Sequence, residues 1–185
     1  MKSIIYRNPL IYKIVMKLLH GKGYVKRYAL IAKEVEDANV LDLCCGDCEL
    51  AEYVKKYKGA DFNPVFVKNA KKRGLNVIKL DVLNDEIPLS ECIVMQASLY
   101  QFYPKHKKII KKMLEKSKKV IISEGIVHLA HSNVKPVANI AKLLTKTSEE
   151  HKYRFTKEKL ISLYEEFGAE KIIPAGRELI GVFET

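Results

Sequence analysis

The chain has no uninterrupted apolar run approaching the ~18 residues that a membrane-spanning helix needs. Arg7, Lys13 and Lys17 break up its apolar N-terminal stretch, so no signal-peptide core is expected there. Cysteine is sparse, and Cys44, Cys45, Cys48 and Cys92 do not form a secreted disulfide framework. Three of them crowd one short segment, which suits a reducing cytosol, so a cytoplasmic location is expected. Cys45-x-x-Cys48 has the form of a redox or half-zinc motif, but no second ligand pair stands at matching spacing. No metal site is therefore expected. Internal repeats, low-complexity tracts and linker-like segments are missing as well. The reading is one domain over residues 1–185, with a helical prefix at 1–36 and an insertion at 124–155.

What is present fits a soluble globular domain. The 185 residues are 48% hydrophobic and 30% charged, enough for a proper core. The net charge of +11 raises the question of an anionic partner such as nucleic acid or a membrane surface. The lysines are spread over many segments, however, with no basic stripe interleaved with aromatics. A solvated surface is the simpler explanation.

The organising stretch is Asn39 to Leu50. Val40, Leu41 and Leu43 make an apolar run too short for a helix, which reads as a buried strand of a parallel sheet. Small residues around Gly46 then allow a sharp turn and close approach of a ligand to the backbone. Leu50, Ala51 and Val54 suggest a following helix whose free N–H groups would face the turn. Strand, turn and helix N-terminus together make a nucleotide-type site.

Upstream, Asn8-Pro9 reads as a helix start, and a second helix is expected over Tyr24 to Glu36. Downstream, Tyr57 to Asp61 is a second strand, and Asn63-Pro64 starts a helix closed by Lys71, Lys72, Arg73 and Gly74. Further strands are expected at Asn76–Leu80, Glu91–Met95 and Val120–Ser123, with a Lys-rich helix opening at Pro104. A helix near Val137 to Leu144 follows. Thr156 caps another helix, ending at Gly168. Lys171–Pro174 and Leu179–Phe183 form a hairpin around Ala175-Gly176-Arg177. Strand–helix alternation predicts an α/β, doubly wound sheet with its ligand at the carboxyl ends of the strands. Acids recur at those ends: Asp42 within the first strand, Asp61 at the second, Asp81 after the third. An acid after strand two is well placed to accept from ribose hydroxyls.

These residues carry a resemblance. Val40-Leu-Asp-Leu-Cys-Cys-Gly-Asp-Cys48 is similar to the first motif of class I S-adenosylmethionine (SAM)-dependent methyltransferases. Gly59-Ala-Asp-Phe-Asn-Pro64 resembles their second motif, Leu80-Asp-Val82 their third and Ile93-Val-Met-Gln-Ala-Ser-Leu-Tyr100 their fourth. The resemblance implies a Rossmann-like methyltransferase fold: a seven-stranded sheet, six strands parallel and the last antiparallel, behind N-terminal helices. It also implies roles. Asp42 and the backbone of Cys44, Cys45 and Gly46 would face the methionine part of SAM. Asp61 would hold the ribose and Phe62 would pack on the adenine. Asp81, with Val82, would receive the adenine amino group. Met95 and Gln96 would line the sulfonium. Tyr24 and Arg27 lie where a prefix helix could close over the methionine carboxylate, with Arg27 as its charge partner or else a surface arginine. Tyr100, Glu124, His128 and His131 fall where the acceptor pocket would be, none singled out as a base. Cys44 and Cys48 stand where the family usually has glycines, and Cys48 calls for a helical rather than a left-handed backbone.

The expected function is methyl transfer from SAM to a small-molecule or lipid-like acceptor. An RNA methyltransferase is the closer alternative, prompted by charge, although no Asn/Asp-Pro-Pro-aromatic signature follows strand four. A nicotinamide-dependent oxidoreductase would want Gly-x-Gly-x-x-Gly where only Gly46 stands. A SAM-binding protein without catalysis is the third alternative.

Overall fold

The computed structural model describes residues 22–126 and 153–185. The expected first helix at Asn8-Pro9, the helix near Val137 to Leu144, and His128 and His131 lie outside them.

Seven strands form one sheet in the order β3-β2-β1-β4-β5-β7-β6. They are β1 (Val40–Leu43), β2 (Tyr57–Asp61), β3 (Val77–Lys79), β4 (Ser90–Gln96), β5 (Ser117–Gly125), β6 (Lys171–Ala175) and β7 (Glu178–Glu184). The pairs from β3 through β5 are parallel, while β7 runs antiparallel to both β5 and β6. This is the sheet expected from the sequence, hairpin included. Residues 124 and 125, assigned above to an insertion, still belong to β5.

Side-chain alternation along the strands builds a core on each face. Leu41, Leu43, Ile93, Met95, Val120 and Ile122 face one way. There they meet α3 (His106–Leu114) through Ile109, Ile110 and Met113, and α4 (Lys157–Glu166) through Leu160, Leu163 and Tyr164. Val40, Cys92, Val94, Ile121, Ile180 and Val182 face the other way. They receive Tyr28, Ile31 and Val35 of α1 (Lys22–Val35), spaced as the buried stripe of a helix must be. The local signals act as expected. Asn63 caps α2 (Pro64–Lys72), its side chain accepting from Val65 N at 3.1 Å, and Thr156 caps α4 by accepting from Lys159 N at 3.3 Å. No described helix is long and apolar enough to cross a membrane.

The helix expected after β1 is reduced to a single 3₁₀ turn, Glu49–Glu52. The turn consumes Cys44 to Cys48 and β2 already begins at Tyr57. Too few residues remain for an α-helix to run back along the sheet.

Candidate functional site

The carboxyl ends of β1, β2, β4 and β5 converge around the turn that follows β1. Cys44 and Cys48 both adopt left-handed backbone, with φ of 57° and 58°, as does Gly46 with φ of 53°. The expectation of a helical backbone at Cys48 is thus overturned. The chain makes the turn that glycines would make, using cysteines. Left-handed backbone costs an L-residue roughly 1–2 kcal/mol, and at Cys48 packing offsets it: the side chain is fully buried with Val67, Ala70 and Val77.

Asp61 holds this turn in place. Its Oδ2 accepts from Gly46 N at 2.8 Å and its Oδ1 from Asn63 N at 2.7 Å. One carboxylate therefore ties the end of β2 to the turn after β1 and to the start of α2. The backbone adds Cys45 N donating to Ala60 O at 3.1 Å. Phe62, next along, is 53% exposed beside the turn, with Lys79 Nζ 6.0 Å from its ring centroid. Asp81 is engaged in its own turn, accepting from Leu83 N at 3.0 Å and from Asn84 Nδ2 at 2.8 Å, with Val82 buried behind it. The Cys44 thiol lies near these acids. Burial pushes its ionisation well up, and the carboxylates of Asp61, Asp42 and Asp81 push it further.

Asp42 lies deeper, fully buried in β1. It accepts from the Tyr57 hydroxyl at 3.0 Å and from Gln96 Nε2 at 3.4 Å. Burial raises its carboxyl to about 7, against the pull of those two donors and of the nearby Arg27 charge. Gln96 Oε1, beside it at the end of β4, is buried without a hydrogen-bond partner. A buried orphan acceptor next to a buried carboxyl calls for a donor from a ligand. Met95 is fully buried beneath it.

Arg27 is neither a surface arginine nor an open lid residue. It is 2% exposed, its Nη1 bonded to Glu178 Oε1 at 2.8 Å and its Nη2 to the Tyr28 hydroxyl at 2.7 Å. Glu178, in β7, also accepts from Ser123 Oγ at 2.7 Å. The prefix helix is therefore pinned to the sheet by a buried ion pair. Tyr24 falls in the same helix, in its first turn, and its side chain lies outside the described ones.

Glu124, at the end of β5, accepts from Tyr100 N at 3.2 Å and from Gly125 N at 2.9 Å. Burial lifts its carboxyl to about 7. The Arg154 guanidinium stacks over the Tyr100 ring, 3.9 Å from its centroid. The structure thus joins Tyr100 and Glu124 and adds Arg154. Sequence reasoning also missed Tyr57, Glu178 and Ser123. Their roles depend on contacts across the sheet that no local pattern announces. Among the described residues no group of three His, Cys, Asp or Glu is placed to hold a metal ion.

No protein-family model matches the chain, and no curated protein matches it in sequence. Solved structures do match in fold. One is a SAM-dependent methyltransferase of Thermotoga maritima, described as a possible histamine N-methyltransferase. The TM-score is 0.70 at 14% identity, covering 97% of each chain. Another is magnesium protoporphyrin IX methyltransferase of Synechocystis PCC 6803 with bound SAH. Its TM-score is 0.63 at 13% identity, covering 95% of this chain and 86% of that one. Human N-acetylserotonin methyltransferase in complex with SAM gives 0.62 at 15% identity, covering 98% of this chain and 58% of that one.

The chain has the class I SAM-dependent methyltransferase fold.

Proposed function

We propose that the protein transfers the methyl group of SAM to a small-molecule or lipid-like acceptor. The observation that carries this reading is the grip of Asp61 on Gly46 beneath a turn ringed by acids. A cationic sulfonium nucleoside suits such surroundings. A dinucleotide does not, because its diphosphate needs a positive helix N-terminus, and here the turn leads only into a four-residue 3₁₀ helix beside Asp42, Asp47 and Asp61. The nicotinamide reading loses on electrostatics.

The residues present fit SAM. Asp61, held at the end of β2 by the amides of Gly46 and Asn63, is the acceptor proposed for the ribose hydroxyls. Phe62 is the side chain proposed to pack on the adenine, and the Asp81–Val82 segment offers acceptor and backbone groups to the adenine edge. Asp42 and the orphan Gln96 Oε1 accept from the methionine ammonium, with Cys44, Cys45, Gly46 and Met95 supplying backbone. Arg27, already paired with Glu178 and Tyr28, places positive charge near Asp42 and would act on the methionine carboxylate only through that field, with Tyr24 in the same helix. Bound SAM supplies an electrophilic methyl, so rate comes chiefly from placing a nucleophile in line. Tyr100 and Glu124 border the acceptor side, with His128 and His131 on the adjoining segment. A carboxyl ionising near neutrality could take a proton from an acceptor.

A groove of about 840 Å³ lined by Lys56, Lys58, Lys116 and Lys118, and by Glu91 and Glu115, opens at the amino ends of the strands. A polyanion held there would sit at the opposite end of the sheet from this site, which counts against the RNA reading. The free thiols of all four cysteines suit a reducing cytoplasm. Incubation with methyl-labelled SAM and a cell extract tests the proposal. Label should appear in the small-molecule or lipid fraction. Label in RNA would move the reading to the nucleic-acid alternative, and no turnover above a blank would leave a non-catalytic binder.

A further inference from the structure

The groups that the site does not use are the two thiols of Cys45-Gly-Asp-Cys48. Its two sulfurs lie 3.5 Å apart, and Cys48 N donates to Cys45 O at 2.8 Å, closing a tight turn. That closure brings the two Cα atoms within the range a disulfide spans. The pair is asymmetric: Cys48 is fully buried, whereas Cys45 is partly open to solvent. The turn between them holds Gly46, the residue that Asp61 grips. The Cys45 sulfur also packs over Gly59, where an added Cβ would lie 2.9 Å from it. Cys48 accepts a left-handed backbone that glycine would adopt without strain.

We infer that Cys45 and Cys48 form a reversible dithiol–disulfide pair that controls the shape of the cofactor turn; the link to SAM rests on the function proposed above. Cys45, the accessible member, attacks a small disulfide such as oxidised glutathione, releasing one glutathione thiol and leaving a mixed disulfide. Cys48 then displaces the second glutathione, closing the internal S–S bond. The protein loses two protons and two electrons, and oxidised glutathione is reduced to two thiols. The contact with the Cys48 thiol, then burial, and then the nearby Asp42 and Asp61 charges keep the Cys45 thiol protonated at neutral pH. Oxidation therefore proceeds through a small thiolate fraction and accelerates as pH rises.

Closing the bond draws the sulfurs from 3.5 Å to about 2.05 Å. Cys45 must leave its seat over Gly59, and the Gly46 amide is pulled away from Asp61. The oxidised turn then presents the wrong backbone to the ligand. By reciprocity, bound SAM protects the pair from oxidation by the same factor that oxidation weakens binding.

The test uses the full chain, reduced or treated with oxidised glutathione across a pH series. Mass spectrometry should find the peptide spanning Cys44 to Cys48 short of two hydrogens, at a rate rising with pH and restored by dithiothreitol. The bond should persist in Cys44→Ala and Cys92→Ala and vanish in Cys45→Ser. Calorimetry should show SAM binding at least about fivefold weaker to the oxidised form, the lower end of usual couplings. Absence of the bond, its persistence in Cys45→Ser, or equal SAM affinity in both forms overturns the inference. Reduced protein that ignores SAM refutes the functional reading instead, and the thiol chemistry is then judged by mass alone.

Discussion

Replacing Asp61 by Ala removes one carboxylate with two duties, and both can be measured. The structural duty is visible: Gly46 N and Asn63 N both donate to it, at 2.8 and 2.7 Å. Hydrogen bonds to a charged acceptor contribute roughly 1.5–3 kcal/mol each, so the gross loss is about 3–6 kcal/mol. Asp61 is only half-buried, so water replaces part of it. A net loss of about 2 kcal/mol follows, which lowers Tm by about 4–8 °C in a domain of this size. The second duty is to the ribose hydroxyls of SAM. Losing their acceptor should weaken binding by about one to two orders of magnitude, at ~1.4 kcal/mol per decade. Asp61→Asn keeps one carbonyl oxygen and should fall between wild type and Ala on both scales. Scanning calorimetry and SAM titration of the three proteins read the two duties separately. An unchanged Tm in Asp61→Ala would refute the claim that this side chain holds the turn, and an unchanged affinity would refute the ribose role.

Arg27→Ala leaves Glu178 buried beside Ser123 without its ion-pair partner, which should cost about 3–5 kcal/mol. The Arg27→Ala/Glu178→Ala double variant should lose less than the sum of the singles in urea titrations, and strict additivity would contradict the pairing. Asp42 keeps a proton in the folded state up to about pH 7 that the unfolded chain releases near 3.8. Unfolding free energy therefore falls relative to Asp42→Asn from about pH 4 to 7, by up to about 4 kcal/mol, and is level above that. SAM affinity should move the other way, rising as Asp42 ionises, and a pH-independent difference would refute the buried-acid account. Gly181→Ala would place a Cβ 2.8 Å from the ring of Tyr164, whose hydroxyl donates to Ile122 O. Overpacking of this kind costs about 1–3 kcal/mol, and a Tm equal to that of wild type would show the ring free to move.

Strands β1, β4, β5 and β7 were legible because each holds a short apolar run, whereas β2 and β3 were marked by the acids that end or follow them. Asn63-Pro64 and Thr156 worked as caps for the same local reason. The helix after β1 was misread because Leu50, Ala51 and Val54 carry helical spacing, whereas the short path to Tyr57 decides the outcome. Cys48 was misjudged because its backbone cost is local and the packing that offsets it, against Val67, Ala70 and Val77, is not. Arg27 was beyond reach, since its partner Glu178 lies 151 positions away in sequence. Asp61 and Asp81 were read as ligand acids. The structure gives each a turn to hold as well, because a carboxylate at a strand end meets the next free amides first.

The central claim is that the acid-ringed turn after β1 takes a sulfonium nucleoside rather than a dinucleotide. Isothermal titration of the reduced full chain with SAM, its demethylated product and NAD addresses it directly. Saturable binding of SAM and of the product, with none for NAD, is the result the account predicts. Binding of NAD without SAM would contradict it.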